Sequence, residues 1–159
     1  MTSFTASRTA HAEVRAPRED IWAILVDPST LAPLVPFVRS ITALEGGTHW
    51  HWQLSGLSVA GLDVAPAFTE RMTFTEPERI EFRHDPPAGT TERAGVVGWY
   101  DLQELRPGVT ALATSLEITL DLPLPGLARP AVTRTMSGVV AQMGDRFAAQ
   151  LLRQLGVAG

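Results

Sequence analysis

The sequence predicts an α+β fold, in which a curved antiparallel sheet of about six or seven strands wraps a long C-terminal helix and two short helices follow the first strand. Three observations carry this reading. Most of the chain alternates apolar and polar residues with period two between short turn signals. From Pro130 onward the apolar period changes to three and four. Only one proline-bounded helical stretch, between Pro17 and Pro36, interrupts the strands.

The elements follow in order. Phe4 to Val14 alternates Ala6, Ala10, Ala12 and Val14 against Thr5, Ser7, Thr9, His11 and Glu13, the pattern of a half-buried strand. Pro17 suits the first turn of a helix, Glu19 and Asp20 complement its positive end, and Ile21, Trp22, Ile24 and Leu25 form its apolar stripe before Asp27-Pro28 stops it. Ser29 to Pro36 reads as one short second helix or irregular turn, capped by Ser29 or Thr30 and limited by Pro33 and Pro36. Strands are predicted at Val38 to Glu45, Thr48 to Leu54 (extendable to Val64), Phe68 to Thr75, Arg79 to His84, Arg93 to Leu105, and Val109 to Asp121. Their separators are turn chemistry: Gly46-Gly47, Glu76-Pro77-Glu78, the stretch DPPAGT from Asp85, and Arg106-Pro107-Gly108. Short connections make the neighbours antiparallel.

Leu122 to Pro130 is too rich in proline for strand or helix and works as a stiff crossing segment. Val132, Met136, Val139, Val140, Met143, Phe147, Leu151 and Leu155 then mark one apolar stripe along the long helix, which must lie on something apolar. Gly138 and Gly144 interrupt it, for close packing on the sheet, for room around a ligand, or for a contact in a homodimer. With 159 residues and no internal repeat, a single domain spanning 1–159 is expected.

Composition narrows the function classes. The 13 basic residues form no run against 17 acidic ones, and the net charge of −4 argues against nucleic acid as a partner. Without cysteine there are no disulfides and no thiolate zinc site. The N-terminal residues carry no apolar signal-type core, and no stretch approaches the roughly 20 apolar residues of a spanning helix, so a cytoplasmic location is the expectation. There is no Gly-rich phosphate loop, nucleophile elbow or triad-like arrangement, and no cofactor is implied.

Two stretches resemble a known family. EVRAPREDIWAILVDPSTLAPLVPFV, from Glu13, is similar to the opening of the START-like superfamily, also called SRPBCC or polyketide cyclase/dehydrase-like. There a strand runs into Ala-Pro, an acidic stretch, an aliphatic-Trp pair and Asp-Pro. GWYDLQELRPGVTALATSLEITLDLPLPG, from Gly98, resembles that family's penultimate hairpin and the entry to its last helix. The resemblance implies a helix-grip fold with an apolar pocket between sheet and helix, used for lipids, polyketides or other hydrophobic ligands and in some members for cyclisation or dehydration.

Alternation assigns the residues expected to face that pocket. Phe68, Glu70, Met72 and Phe74 share one face of their strand; so do Ile80, Phe82 and His84; Val96, Gly98, Tyr100 and Leu102; and Leu112, Thr114, Leu116, Ile118 and Leu120. In THWHWQL, from Thr48, either the tryptophans or the histidines face inward, because a period-two strand cannot bury both sets. Burying two indoles gains more than burying two imidazoles, so Trp50 and Trp52 form wall and His49 and His51 lie outside. A metal site would need a third ligand from His11, His84 or a carboxylate, and the sequence offers no second paired spacing; none is expected. The expected ligand-binding set is therefore Trp50, Trp52, Phe68, Met72, Phe82, His84, Tyr100, Leu116, Met136, Val140, Met143 and Phe147.

Three residues are candidates for chemistry, and each has a plainer alternative. Glu70, in the inward phase, would have a raised pKa and could act as acid or base, but the favoured reading makes it a solvated strand-end carboxylate or a partner of Arg71, Arg79 or Arg83. His84 could sit at the pocket mouth as a general base, or end its strand beside Asp85. Tyr100 could offer its hydroxyl to the cavity or bond it to backbone. Arg8 is either an anchor for an acidic head group or, as favoured, an exposed strand-edge residue. Binding of a small hydrophobic molecule is the leading functional expectation; a polyketide cyclase or dehydratase using His84, Tyr100 or Glu70 is the alternative. A third reading is an accessory module docking on a larger enzyme, which similarity to the members of the superfamily that accompany carbon monoxide dehydrogenase would allow.

Overall fold

The computed structural model describes residues 1–157. Its elements run β1 (Thr2–Val14), α1 (Arg18–Leu25), α2 (Pro28–Leu31), a 3-10 turn (Ala32–Leu34), β2 (Val38–Ala43), β3 (His49–Leu54), β4 (Leu57–Val59), β5 (Leu62–Val64), β6 (Ala67–Thr75), β7 (Arg79–His84), β8 (Ala94–Arg106), β9 (Val109–Leu122), a second 3-10 turn (Gly126–Ala128) and α3 (Arg129–Leu155). Seven strands form one antiparallel sheet in the order β1-β9-β8-β7-β6-β3-β2, and α3 lies across its concave face. This is the helix-grip arrangement expected. No helix among the described residues is long and apolar enough to cross a membrane.

The helix is held by the stripe that its periodicity marks: Val132, Met136, Val140, Met143 and Leu151 are buried. Gly156 ends it in a left-handed conformation (φ 72°), its N–H returning to the carbonyls of Arg153 and Leu152. At the other end of the sheet, Ile21, Trp22, Ile24 and Leu25 of α1 are buried against the core. Phe74, though about a third exposed, completes an edge-to-face pair with Trp22 and a tilted one with Trp50.

Two local expectations need correction. The cap of α2 is Asp27, whose carboxylate accepts from the Ser29 N–H at 2.9 Å, not Ser29 or Thr30; Pro28 occupies the first turn, where a missing N–H costs nothing. Nor does β3 continue to Val64. The chain breaks at Ser55-Gly56 and forms a separate hairpin, β4-β5, turning at Ala60-Gly61, and Val59 of that hairpin is buried. Continuous alternation hides the break because both strands flanking it have period two.

Candidate functional site

Between the concave sheet face and α3 lies a cavity of about 380 Å³, within the usual range for small-molecule sites. Trp50, Trp52, Phe68, Met72, Phe82, Tyr100, Leu116, Val140, Met143 and Phe147 line it. The aromatic side chains form wall and leave the space open. The cavity exists partly because of what is absent from its floor. Gly98 sits beneath the Phe82 ring, where any Cβ would collide with that ring and with the Ser115 carbonyl, so β8 lets Phe82 lie flat against the sheet. Trp52 and Phe68, opposite one another on β3 and β6, stack at 5.9 Å. Phe82, Tyr100 and Phe147 form a second aromatic row, with centroids 5.6 and 6.3 Å apart.

Glu70 breaks this apolar surface. It is only 3% exposed and borders the cavity, so the reading of a solvated or arginine-paired carboxylate fails. The reason is topological: β6 lies between β3 and β7, not at an edge. Arg71 and Arg83 alternate onto the opposite face, while Arg79 bonds to Glu81 and Asp101 and covers the Trp99 ring. No hydrogen bond or ion pair joins the Glu70 carboxyl to another described residue at bonding geometry. Burial pushes its pKa up from 4.5 to about 8, opposed only by a smaller pull from the nearby Trp52 indole. That indole N–H is itself buried and reaches no acceptor at bonding geometry. Tyr100 is close enough to feel Glu70: burial first, and the Glu70 charge second, push its phenol well above the usual range. Its hydroxyl has no hydrogen-bond partner among the described residues, backbone included.

His84 does not line the cavity. It stands opposite Glu70 across the β6-β7 pair, but the β7-β8 pairing ends at Phe82↔Gly98. Beyond that point the His84 ring lies over Gly95, whose missing side chain makes room for it, and its Nε2 is 2.9 Å from a Glu92 carboxylate oxygen. Glu92 also accepts from the Thr69 N–H and the Thr69 hydroxyl, each at 2.8 Å. Because the single Thr69 hydroxyl proton is directed to Glu92, the His51 Nδ1 at 3.2 Å must carry its own proton and donate to Thr69. His49 Nε2 is 2.8 Å from Asp85, which holds that carboxyl below its ordinary value. The histidines of THWHWQL thus lie on the convex face, as alternation requires, and bind down the β7-β8 connection. Among the described residues no group of three His, Asp or Glu side chains could hold a metal ion.

Met136 also lies outside this cavity. One helical turn before Val140, it borders a separate space of about 30 Å³ with Leu57, Val59 and Leu120, because the β4-β5 hairpin closes that end of the helix. Arg8 is a correction too. Its guanidinium donates to the Ala141 carbonyl at 2.5 Å and to Asp145 at 2.7 Å, and its side chain is 32% exposed. It lies at the rim of the cavity against Gly144, where a Cβ would approach within 3.2 Å of it. Sequence reasoning missed this rim, made by Arg8 to Glu13 of β1 facing Gly144 to Leu152 of α3. A signal was present: Ala10 and Ala12, both exposed, hold inward positions where larger residues would close the space.

Solved structures share this architecture at low identity. A START superfamily protein from Mycobacterium smegmatis is 16% identical with a TM-score of 0.68, over 94% of this chain and 97% of its own. The Zhui aromatase/cyclase from Streptomyces sp. R1128 is 17% identical with a TM-score of 0.72, over 96% and 94%. The di-domain ARO/CYC BexL of the BE-7585A biosynthetic pathway is 14% identical with a TM-score of 0.65, and this chain spans 52% of it. No curated protein matches the sequence. The family model described as "Polyketide cyclase / dehydrase and lipid transport" matches residues 1–154, and the chain belongs to that family.

Proposed function

We propose that this member of the polyketide cyclase/dehydrase and lipid transport family binds a small, mostly apolar molecule in the cavity between sheet and α3. The observation that carries the reading is an open space of about 380 Å³ walled mainly by indole, phenyl and aliphatic side chains, with Glu70 and Tyr100 among the few polar groups on it that lack a protein partner among the described residues. Apolar walls supply affinity, and a few polar groups fix orientation. Native mass spectrometry of the purified protein, followed by denaturing extraction, tests it. An apolar molecule near one equivalent is expected, and Ala12→Trp, which fills the space from β1, should exclude it while the far-UV spectrum is unchanged. Equal occupancy in Ala12→Trp would place the ligand elsewhere.

A second reading, proton transfer during cyclisation or dehydration of a bound polyketide-type substrate, is favoured by one specific observation. With its pKa near 8, Glu70 holds a proton at neutral pH and can give it up, and Tyr100, on the same cavity wall, feels its charge. His84 is left out of that chemistry because Glu92 holds its ring outside the cavity. If turnover occurs, Glu70→Gln and Tyr100→Phe should abolish it with affinity nearly intact, whereas His84→Phe should not.

A further inference from the structure

Glu70 poses a question that apolar binding leaves unanswered. Burying a carboxyl among aromatic rings is costly, and nearly all buried polar groups have partners. Here neither oxygen has one at bonding geometry among the described residues. The basic groups facing the cavity do not reach it: Arg8 on β1 is engaged by the Ala141 carbonyl and Asp145 of α3, and His11 lines the rim beside Glu13. From the adjoining strands, β3 presents only Trp50 and Trp52, β7 presents His84 bound to Glu92, and β8 presents Tyr100. Among the described residues the Trp52 indole N–H is the one donor that pulls on the carboxyl, and it completes no hydrogen bond, so the partner at bonding geometry is missing.

We propose that the cavity takes a lipophilic amine in its protonated form, the ammonium seated against the Glu70 carboxylate and the apolar body between Trp52, Phe68 and Phe147. The inference rests on the binding reading above and names its ligand class. A neutral acceptor such as a ketone would use one carboxyl proton and leave the second oxygen unmet. An ammonium donates to both oxygens and is attracted by neighbouring aromatic rings, an interaction that strengthens when water is excluded. A carboxylic acid ligand would repel Glu70 instead. The proton balance is explicit: the empty site holds Glu70 as the neutral acid, the ammonium arrives with its proton, and Glu70 releases its own proton to the buffer as the ion pair forms.

Calorimetry with octylamine, octanol and octanoate at pH 7 tests the proposal. Octylamine should bind about tenfold or more tighter than octanol, with octanoate weakest. Measured in two buffers of different ionisation enthalpy, octylamine binding to the unmodified protein should release close to one proton, and octanol binding none. Glu70→Gln should remove both the amine preference and the proton release and retain octanol binding. Octanol binding as tightly as octylamine, amine binding without proton release, or a preference that survives Glu70→Gln would overturn the amine assignment and leave apolar binding standing. Failure of all three probes to bind would overturn both.

Discussion

Thr69 and Glu70 are neighbours on β6, and the two faces of the sheet that they address treat a carboxyl in opposite ways. On the convex face the Glu92 carboxylate covers Thr69, receiving its N–H, its hydroxyl and His84, with the His51 ring 3.9 Å away. On the concave face Glu70 receives only the weak influence of a Trp52 indole that completes no hydrogen bond. A carboxylate satisfied on every side fixes a loop, whereas an unsatisfied one is kept against its own desolvation cost. The second is the mark of a site, because the compensation has to come from outside the fold.

The largest expected effect tests that asymmetry through pH. The folded pKa of Glu70 is raised from 4.5 to about 8, so ionisation is harder in the folded state than in the unfolded chain. Its favourable contribution is complete below about pH 4.5, where both states are protonated, and is lost progressively as pH rises through 8. Glu70→Gln removes the penalty. The variant should match the parent near pH 4 and exceed it by on the order of 4–5 kcal/mol at pH 8.5 in urea unfolding. Parallel pH profiles for parent and variant would show that Glu70 has a protein partner after all.

Glu92→Ala should act in the opposite direction. Thr69 is 1% exposed, so its N–H and hydroxyl would be stranded without acceptors, and His84 would lose its anchor. A loss of about 3 kcal/mol is expected at neutral pH. Glu92→Gln should recover only part of it, since an amide offers one acceptor where the carboxylate offers two. Ligand affinity should stay within about twofold for the fraction that remains folded, because Glu92 faces away from the cavity. A large change in affinity would mean that the two faces are coupled and would break the comparison.

These same residues show how far the sequence is legible. Period-two alternation places Trp50, Phe68, Tyr100 and Leu116 on the cavity side because their strands are paired on both sides and cannot rotate. It misplaces His84 because alternation describes a strand only while its ladder lasts, and the ladder with β8 stops at Phe82. Glu70 is in the right phase and its surroundings are still misread, since local sequence shows three arginines nearby and does not show which face each occupies. Arg8 and Glu92 depend on contacts 133 and 23 residues away, which no local pattern encodes. The β4-β5 break falls at a Ser-Gly step embedded in continuous alternation.

The smallest expected effect concerns Arg8, which bridges the two sides of the cavity rim. Its bond to the Ala141 carbonyl satisfies a helix backbone oxygen, while its ion pair is with an Asp145 that is 71% exposed and therefore largely screened. Arg8→Ala should accordingly cost only about 1 kcal/mol in urea unfolding, most of it from the carbonyl bond, and Asp145→Ala still less. The informative readout is kinetic. Arg8 ties β1 to α3 where the cavity opens, so its removal should speed release of a bound apolar probe severalfold in stopped-flow tryptophan fluorescence, with little change at equilibrium if entry speeds equally. Gly144→Ala, which places a Cβ against the guanidinium, should shift release in the same direction by a smaller factor. Unchanged release in both variants would mean that ligand passes elsewhere along the rim and that Arg8 serves only to hold the helix on its sheet.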